Sequence, residues 1–167
     1  MIFDEAFELL IDVEGGFTRN SHDSGNWTGG KIGKGELKGT KYGISAGSYP
    51  NLDIKNITLE EAKAIYKKDY WDVVKADNFP ELFRFDLFDT AVNSGAERSI
   101  KFLQKAIGVT VDGKIGPNTK LASMSIHPAI VKARFNAVRL EFMTDTGGWD
   151  IFGRGWAKRI SKNLLLN

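Results

Sequence analysis

Apolar positions follow a helical period at the start of the chain, lose it over the next 37 residues, and recover it to the end. Phe3, Phe7, Leu10 and Ile11 fall at i, i+4, i+7 and i+8, one face of a helix, while Asp4, Glu5 and Glu8 occupy the other faces. A first helix is predicted over about residues 2–13, stopped by Gly15-Gly16. Residues 15–51 hold ten of the 18 Gly, with β-capable stretches at Gly16-Phe17-Thr18 and from Thr40 to Ile44, so a small turn-rich β region is predicted there. Thr58-Leu-Glu-Glu61 reads as a capping box opening a helix whose stripe, Ala62, Ile65, Tyr66 and Tyr70, runs toward Trp71. Further helices are predicted over about 81–93, around Ile100–Ile107, from Pro117, from Pro128 to about Met143, and over about 154–165. The expected class is α+β, mostly helical, with one small sheet after the first helix and a larger helical lobe.

Length supports one domain over 1–167, with a first part at 1–93 and a helical part at 94–167. Cys is absent and there are only two His, so disulfides, thiolate catalysis and Cys-ligated zinc are excluded and a multi-histidine metal site has little material. No metal and no cofactor are expected. The first residues, MIFDEAFELLIDVE, carry acids where a signal peptide needs Lys or Arg, and no apolar run is long enough to span a membrane. Residues 1–97 hold 11 Lys/Arg against 17 Asp/Glu, net −6, and residues 98–167 hold 12 against 4, net +8. Such asymmetry marks either an anionic partner or a solvated helical surface. The basic residues are scattered and form no nucleic-acid motif, so no nucleic-acid partner is expected.

The residues left for bond breaking are carboxylates and hydroxyls, which suits glycoside hydrolysis by a proton donor and a second carboxylate. Glu14 is delivered at the end of the first helix, where partial desolvation and the helix dipole both disfavour its anion. Asp23 follows nine residues later across a turn and can polarise a water, and Thr40 can orient that water. Singly, Glu14 reads first as a surface carboxylate, Asp23 as a turn cap and Thr40 as a strand residue.

Taken together, Glu14-Gly-Gly-Phe17, Asp23-Ser-Gly25 and Thr40-Lys-Tyr-Gly-Ile44 resemble the Glu-Gly-Gly-aromatic, Asp-x-Gly-Gly and Thr-x-x-Gly-Ile motifs of glycoside hydrolase family 108, a family of N-acetylmuramidases. The resemblance continues through Asp69-Tyr-Trp-Asp72, Phe88-Asp-Thr-Ala-Val-Asn-Ser-Gly95, Leu103-Gln104, Asp112-Gly-Lys-Ile-Gly-Pro117 and Gly155-Trp-Ala-Lys-Arg159, the later motifs being similar to a peptidoglycan-binding region. The same Glu, Asp and Thr resemble those of phage-type lysozymes, which implies a lysozyme-like fold. One departure is an insertion-like stretch from Asn26 to Lys38, which leaves Glu36 as the alternative second carboxylate to Asp23.

The resemblance implies a muramidase cleaving between N-acetylmuramic acid and N-acetylglucosamine, with Glu14 as acid and Asp23 and Thr40 positioning water, and inversion at the anomeric carbon. Sugar rings offer apolar faces to aromatics and hydroxyls to amides, so Tyr42, Asn93 and Gln104 are the expected substrate-binding residues, ahead of Trp27, Trp71 and Trp156. Peptidoglycan is the expected partner; the basic half also suits anionic envelope polymers or lipopolysaccharide. The expected setting is a monomeric phage endolysin, made in the host cytoplasm and released to the wall through a holin-type hole, without stable membrane insertion. A non-catalytic wall-binding module and a lytic transglycosylase remain the alternatives.

Overall fold

The computed structural model describes residues 1–11 and 16–166. It contains helix α1 (Phe3–Leu10), strands β1 (Thr40–Lys41) and β2 (Ile44–Ser45), and helices α2 (Leu59–Tyr66), α3 (Arg84–Ser94), α4 (Ala96–Ile107), α5 (Pro117–Met124), α6 (Pro128–Thr144) and α7 (Trp149–Leu165). The class is α+β and mostly helical, as the periodicity predicts. The chain divides into two compact units, Phe7–Tyr66 and Met1–Ala6 with Lys67–Asn167.

In the first unit β1 and β2 form an antiparallel hairpin, with Thr40 opposite Ser45 and Lys41 opposite Ile44. Both residues of its turn, Tyr42 and Gly43, have positive φ (50° and 74°), as a two-residue type I′ turn requires. The Tyr66 hydroxyl at the end of α2 donates to the Tyr42 carbonyl at 3.2 Å, and a Cβ on Gly43 would lie 2.3 Å from that hydroxyl oxygen, so only glycine lets the turn settle on the tyrosine. The helix itself opens with the predicted reciprocal cap: Thr58 N–H donates to Glu61 Oε2 at 2.8 Å, and Glu61 N–H to Thr58 Oγ1 at 3.1 Å. The insertion-like stretch is a closed excursion, with Trp27 bridged to Leu37 and Thr28 N–H donating to the Glu36 carbonyl at 2.9 Å.

In the second unit α3 packs on α4, α4 on α6, and α6 on α7. Phe3, Trp71 and Phe88 meet edge to face with centroids 5.5–5.8 Å apart, and Phe83, Leu87, Leu103 and Phe135 are fully buried on the same set of packed elements. The stripe running toward Trp71 does not continue as α-helix: residues Lys67–Trp71 widen into a π-helical turn, and Trp71 is wholly buried. The helix expected from about 81 begins as a 3₁₀ turn at Glu81–Phe83 before α3. The last helix starts earlier than predicted, at Trp149 rather than 154. Gly153 does not break it, because the Trp149 ring lies across that glycine, 2.6 Å from where a Cβ would stand. Among the described residues no helix is long and apolar enough to cross a membrane.

Candidate active site

Of the residues that sequence reasoning places in the site, Asp23, Thr40 and Tyr42 fall in the β-containing unit, and Asn93 and Gln104 in the helical one. Glu14 lies outside the described residues. Asp23 caps a 3₁₀ turn at Ser24–Asn26, its Oδ1 accepting the Gly25 N–H at 2.9 Å, and its side chain is exposed. That leaves Oδ2 outside the cap, where it can address a water. Thr40 sits in β1 and is also bridged to Thr18 through a reciprocal pair of backbone hydrogen bonds, both 2.8 Å. Its hydroxyl donates to Asn26 Oδ1 at 2.6 Å.

Asn26 is the residue that sequence reasoning missed. It is buried, its Nδ2 donates to the Asn20 carbonyl at 3.0 Å, its own carbonyl accepts from Lys38 and Gly39, and its N–H closes the turn on the Asp23 carbonyl at 3.2 Å. One side chain therefore ties the turn that Asp23 caps to the hydroxyl of Thr40. The only signal in the sequence is its place three residues after a capping Asp, and Asn in a Gly-rich loop reads first as a turn former.

The alternative carboxylate, Glu36, stands differently. Its N–H is held by Thr28 Oγ1 at 2.9 Å, but its carboxylate is 76% exposed and lies 3.5 Å from Lys38 Nζ. It has no tie to Asn26 or Thr40 among the described residues. Tyr42 contributes its carbonyl to the turn contact with Tyr66, and the Lys41 ammonium lies 5.2 Å from its ring centroid. Trp27 is half-buried, with its indole N–H donating to the Ser21 carbonyl at 3.0 Å.

In the helical unit Gln104 is 1% exposed, and its amide is used within the protein. Nε2 reaches Asp112 Oδ1, the Lys114 carbonyl and Thr119 Oγ1 at 2.7, 2.9 and 3.3 Å, while Oε1 accepts from Gly113 N–H at 2.8 Å. These bonds hold the Asp112–Pro117 loop against α4, and the hydrogen bond from Gln104 keeps the Asp112 carboxyl below its ordinary range. Trp71 belongs to the core. Asn93 is exposed at the end of α3 and donates from Nδ2 to the Asp89 carbonyl at 2.7 Å and to Asp89 Oδ1 at 3.2 Å.

Asp89 anchors a buried network that joins three helices. Its Oδ2 accepts from Arg139 Nη1 at 2.7 Å and Asn163 Nδ2 at 2.9 Å; its Oδ1 accepts from Arg159 Nε and Nη2 at 2.8 and 2.6 Å. Burial opposes the charge on Asp89, but Arg139 and Arg159 outweigh it and hold the carboxyl below the usual range. One turn earlier on α3, Asp86 accepts from Asn136 Nδ2 at 2.7 Å, and burial lifts its pKa to about 7 against that bond and the pull of Lys132. The legible signal was two acids three apart in an otherwise apolar stretch of α3, with arginines inside later helices. Among the described residues no group of three or more His, Asp or Glu could hold a metal ion.

Comparison with known proteins gives a match of residues 7–95 to the family model described as Glycosyl hydrolase 108. Comparison with curated proteins gives no match. Among solved structures the chain is similar to that titled Structure of Brucella abortus SagA, with 28% identity and a TM-score of 0.80 over 97% of this chain and 91% of that one.

Proposed function

The chain belongs to the glycosyl hydrolase 108 family, and from that premise we propose that it hydrolyses the β-1,4 bond between N-acetylmuramic acid and N-acetylglucosamine, with inversion. Membership makes it a glycoside hydrolase with peptidoglycan as its substrate class, on a lysozyme-like fold. In the proposed reaction Glu14 gives its proton to the glycosidic oxygen as the C–O bond breaks. Asp23 accepts a proton from a water that attacks the anomeric carbon from the opposite face, and the Thr40 oxygen fixes that water. Inversion calls for roughly 6.5–9.5 Å between the two carboxyl groups, room enough for the water.

The observation that carries the choice of Asp23 over Glu36 is the Asn26 side chain, which ties the Asp23 turn to the Thr40 hydroxyl at 2.6 Å. A general base and a water-orienting hydroxyl must keep their relative position within a fraction of an ångström, and a shared buried anchor supplies that. The biological setting we propose is a phage endolysin, monomeric, made in the host cytoplasm and admitted to the wall by a holin-type pore. Anionic envelope polymers or lipopolysaccharide are the further partners proposed for the basic half.

Purified peptidoglycan is the test substrate. Wild type should clear its turbidity, and Glu14→Gln, folded by circular dichroism, should be slower by at least about a hundredfold, as expected on losing a general acid. The released sugar should be the α-anomer by NMR, with the mass of one added water. A β-anomer would refute inversion, a 1,6-anhydro product would refute hydrolysis, and wall binding without clearing would refute the enzyme reading.

A further inference from the structure

The ends of α3, α4, α6 and α7 enclose a cavity of about 580 Å³ that the proposed chemistry does not use. Its lining carries three arginines, Arg98, Arg139 and Arg159, no acid, and the rings of Phe142, Phe152 and Trp156. Asp89 lies outside that lining and is shared by Arg139 and Arg159, so those two guanidinium groups divide one buried carboxylate, and Arg98 adds a third positive charge to the lining.

The cations differ in what they offer. Arg139 is wholly buried, and its Nε and Nη2 have no hydrogen-bond partner among the described residues, so its surplus charge reaches the cavity as a field. Arg159 turns Nε and Nη2 to Asp89 while its side chain stays 39% exposed, which leaves Nη1 outside that pair. Arg98 is exposed and lies over Phe142, with Cζ 4.7 Å from the ring centroid, and its Nη1 donates to the Ser94 carbonyl at 3.3 Å. A guanidinium held over a ring and by one N–H keeps its other N–H groups for a carboxylate. Asn93 uses Nδ2 on Asp89, and its carbonyl oxygen is left for a peptide N–H. Trp156, half-buried, lies 5.9 Å from Phe152 and 6.3 Å from Trp149, forming an aromatic wall.

We propose that this cavity binds an acidic peptide, the carboxylate-bearing stem of peptidoglycan, with Arg98 and Arg159 on a carboxylate, Asn93 on a backbone amide, and Trp156 and Phe152 against the aliphatic part. The assignment rests on the peptidoglycan reading above and adds a peptide subsite to a glycan-cutting site. A short peptide suits the volume, which lies within the range of small-ligand pockets.

The experiment is titration of the wild-type protein with the tripeptide L-Ala-γ-D-Glu-diaminopimelate, followed by calorimetry and tryptophan fluorescence. N-acetylmuramic acid, N-acetylglucosamine and inorganic phosphate serve as separate probes. The tripeptide should bind, shift the tryptophan emission and weaken with added salt, and both Arg98→Gln and Phe152→Ala should weaken it at least about tenfold. Both side chains are exposed, so neither change disturbs the core, and unchanged melting temperatures verify this. Unchanged tripeptide affinity in both variants overturns the proposal, as does equal binding of N-acetylglucosamine, of N-acetylmuramic acid or of phosphate. A protein that clears peptidoglycan but ignores the tripeptide refutes the subsite alone. One that binds the tripeptide through Arg98 without clearing the wall refutes the hydrolase reading alone.

Discussion

At the residue scale the buried polar groups of α3 behave in opposite ways, and their surroundings explain why. Asp89 has two guanidinium groups and two amides on it and stays ionised. Asp86 faces Asn136, with Lys132, Arg139 and the like-charged Asp89 acting at longer reach, and burial lifts its pKa to about 7. An unfolded Asp titrates near ~3.9. Between those values the unfolded chain releases the proton while the folded protein keeps it. Asp86 therefore contributes stability that is complete below about pH 4 and lost as pH rises through about 7. The gap between the folded and unfolded values corresponds to roughly 4 kcal/mol at most. In Asp86→Asn an acceptor for Asn136 is kept and the charge removed, so urea midpoints at pH 5 and pH 8 should lie closer together than in wild type. Parallel pH dependence in the two proteins would show that Asp86 is not the titrating group.

At the scale of elements, the helices were legible because their signals are local. The Thr58–Glu61 cap formed as read, Gly108 ends α4 in a left-handed conformation, and Pro117 and Pro128 open α5 and α6. In the β region the two stretches read as β-capable hold the Thr18–Thr40 bridge and the start of both hairpin strands, but two-residue strands leave little periodicity and their registers depend on turns and side-chain ties. Its decisive residue, Asn26, acts through contacts that reach up to 14 positions along the sequence, to Thr40, and nothing in the local pattern reveals them. Gln104 is known from the sequence only as an amide; that it is buried and holds the Asp112–Pro117 loop depends on the packing of α4. Asn26→Ala should cost about 1–3 kcal/mol by leaving polar partners unmatched, and lower kcat by at least about tenfold. Asn26→Asp keeps the acceptor for Thr40 and should recover much of the turnover with less of the stability, because the bond to the Asn20 carbonyl is lost. If both variants lose activity only in proportion to their unfolded fraction, Asn26 has no positioning role.

At the scale of the whole molecule, the net +8 of residues 98–167 overstates the charge presented to solvent. Arg139 is fully buried on Asp89, and Lys132, 5% exposed, donates to the Leu166 carbonyl. Arg159 shares the same acid. A linear count cannot tell an internal guanidinium from a surface one, which is why the asymmetry reads equally as partner or solvated face. The two compact units were not visible either, because the divisions fall inside helical runs, between Ala6 and Phe7 in α1 and between Tyr66 and Lys67, whereas the composition changes near residue 58.

The Asp89 network carries a consequence for how the helical unit breathes. Detaching α7 alone would remove the Arg159 and Asn163 hydrogen bonds from a carboxylate already out of water, so that partial opening is penalised far more than the fraying of an exposed end. In deuterium exchange the protected amides of α3, α6 and α7 should therefore share one opening free energy, and Arg159→Gln should split α7 off as a separately exchanging segment. Wild-type α7 amides exchanging well ahead of those in α3 would mean that the carboxylate does not couple them. A helix that looks like a peripheral addition in the order of the chain is, by this measure, part of the last structure to open.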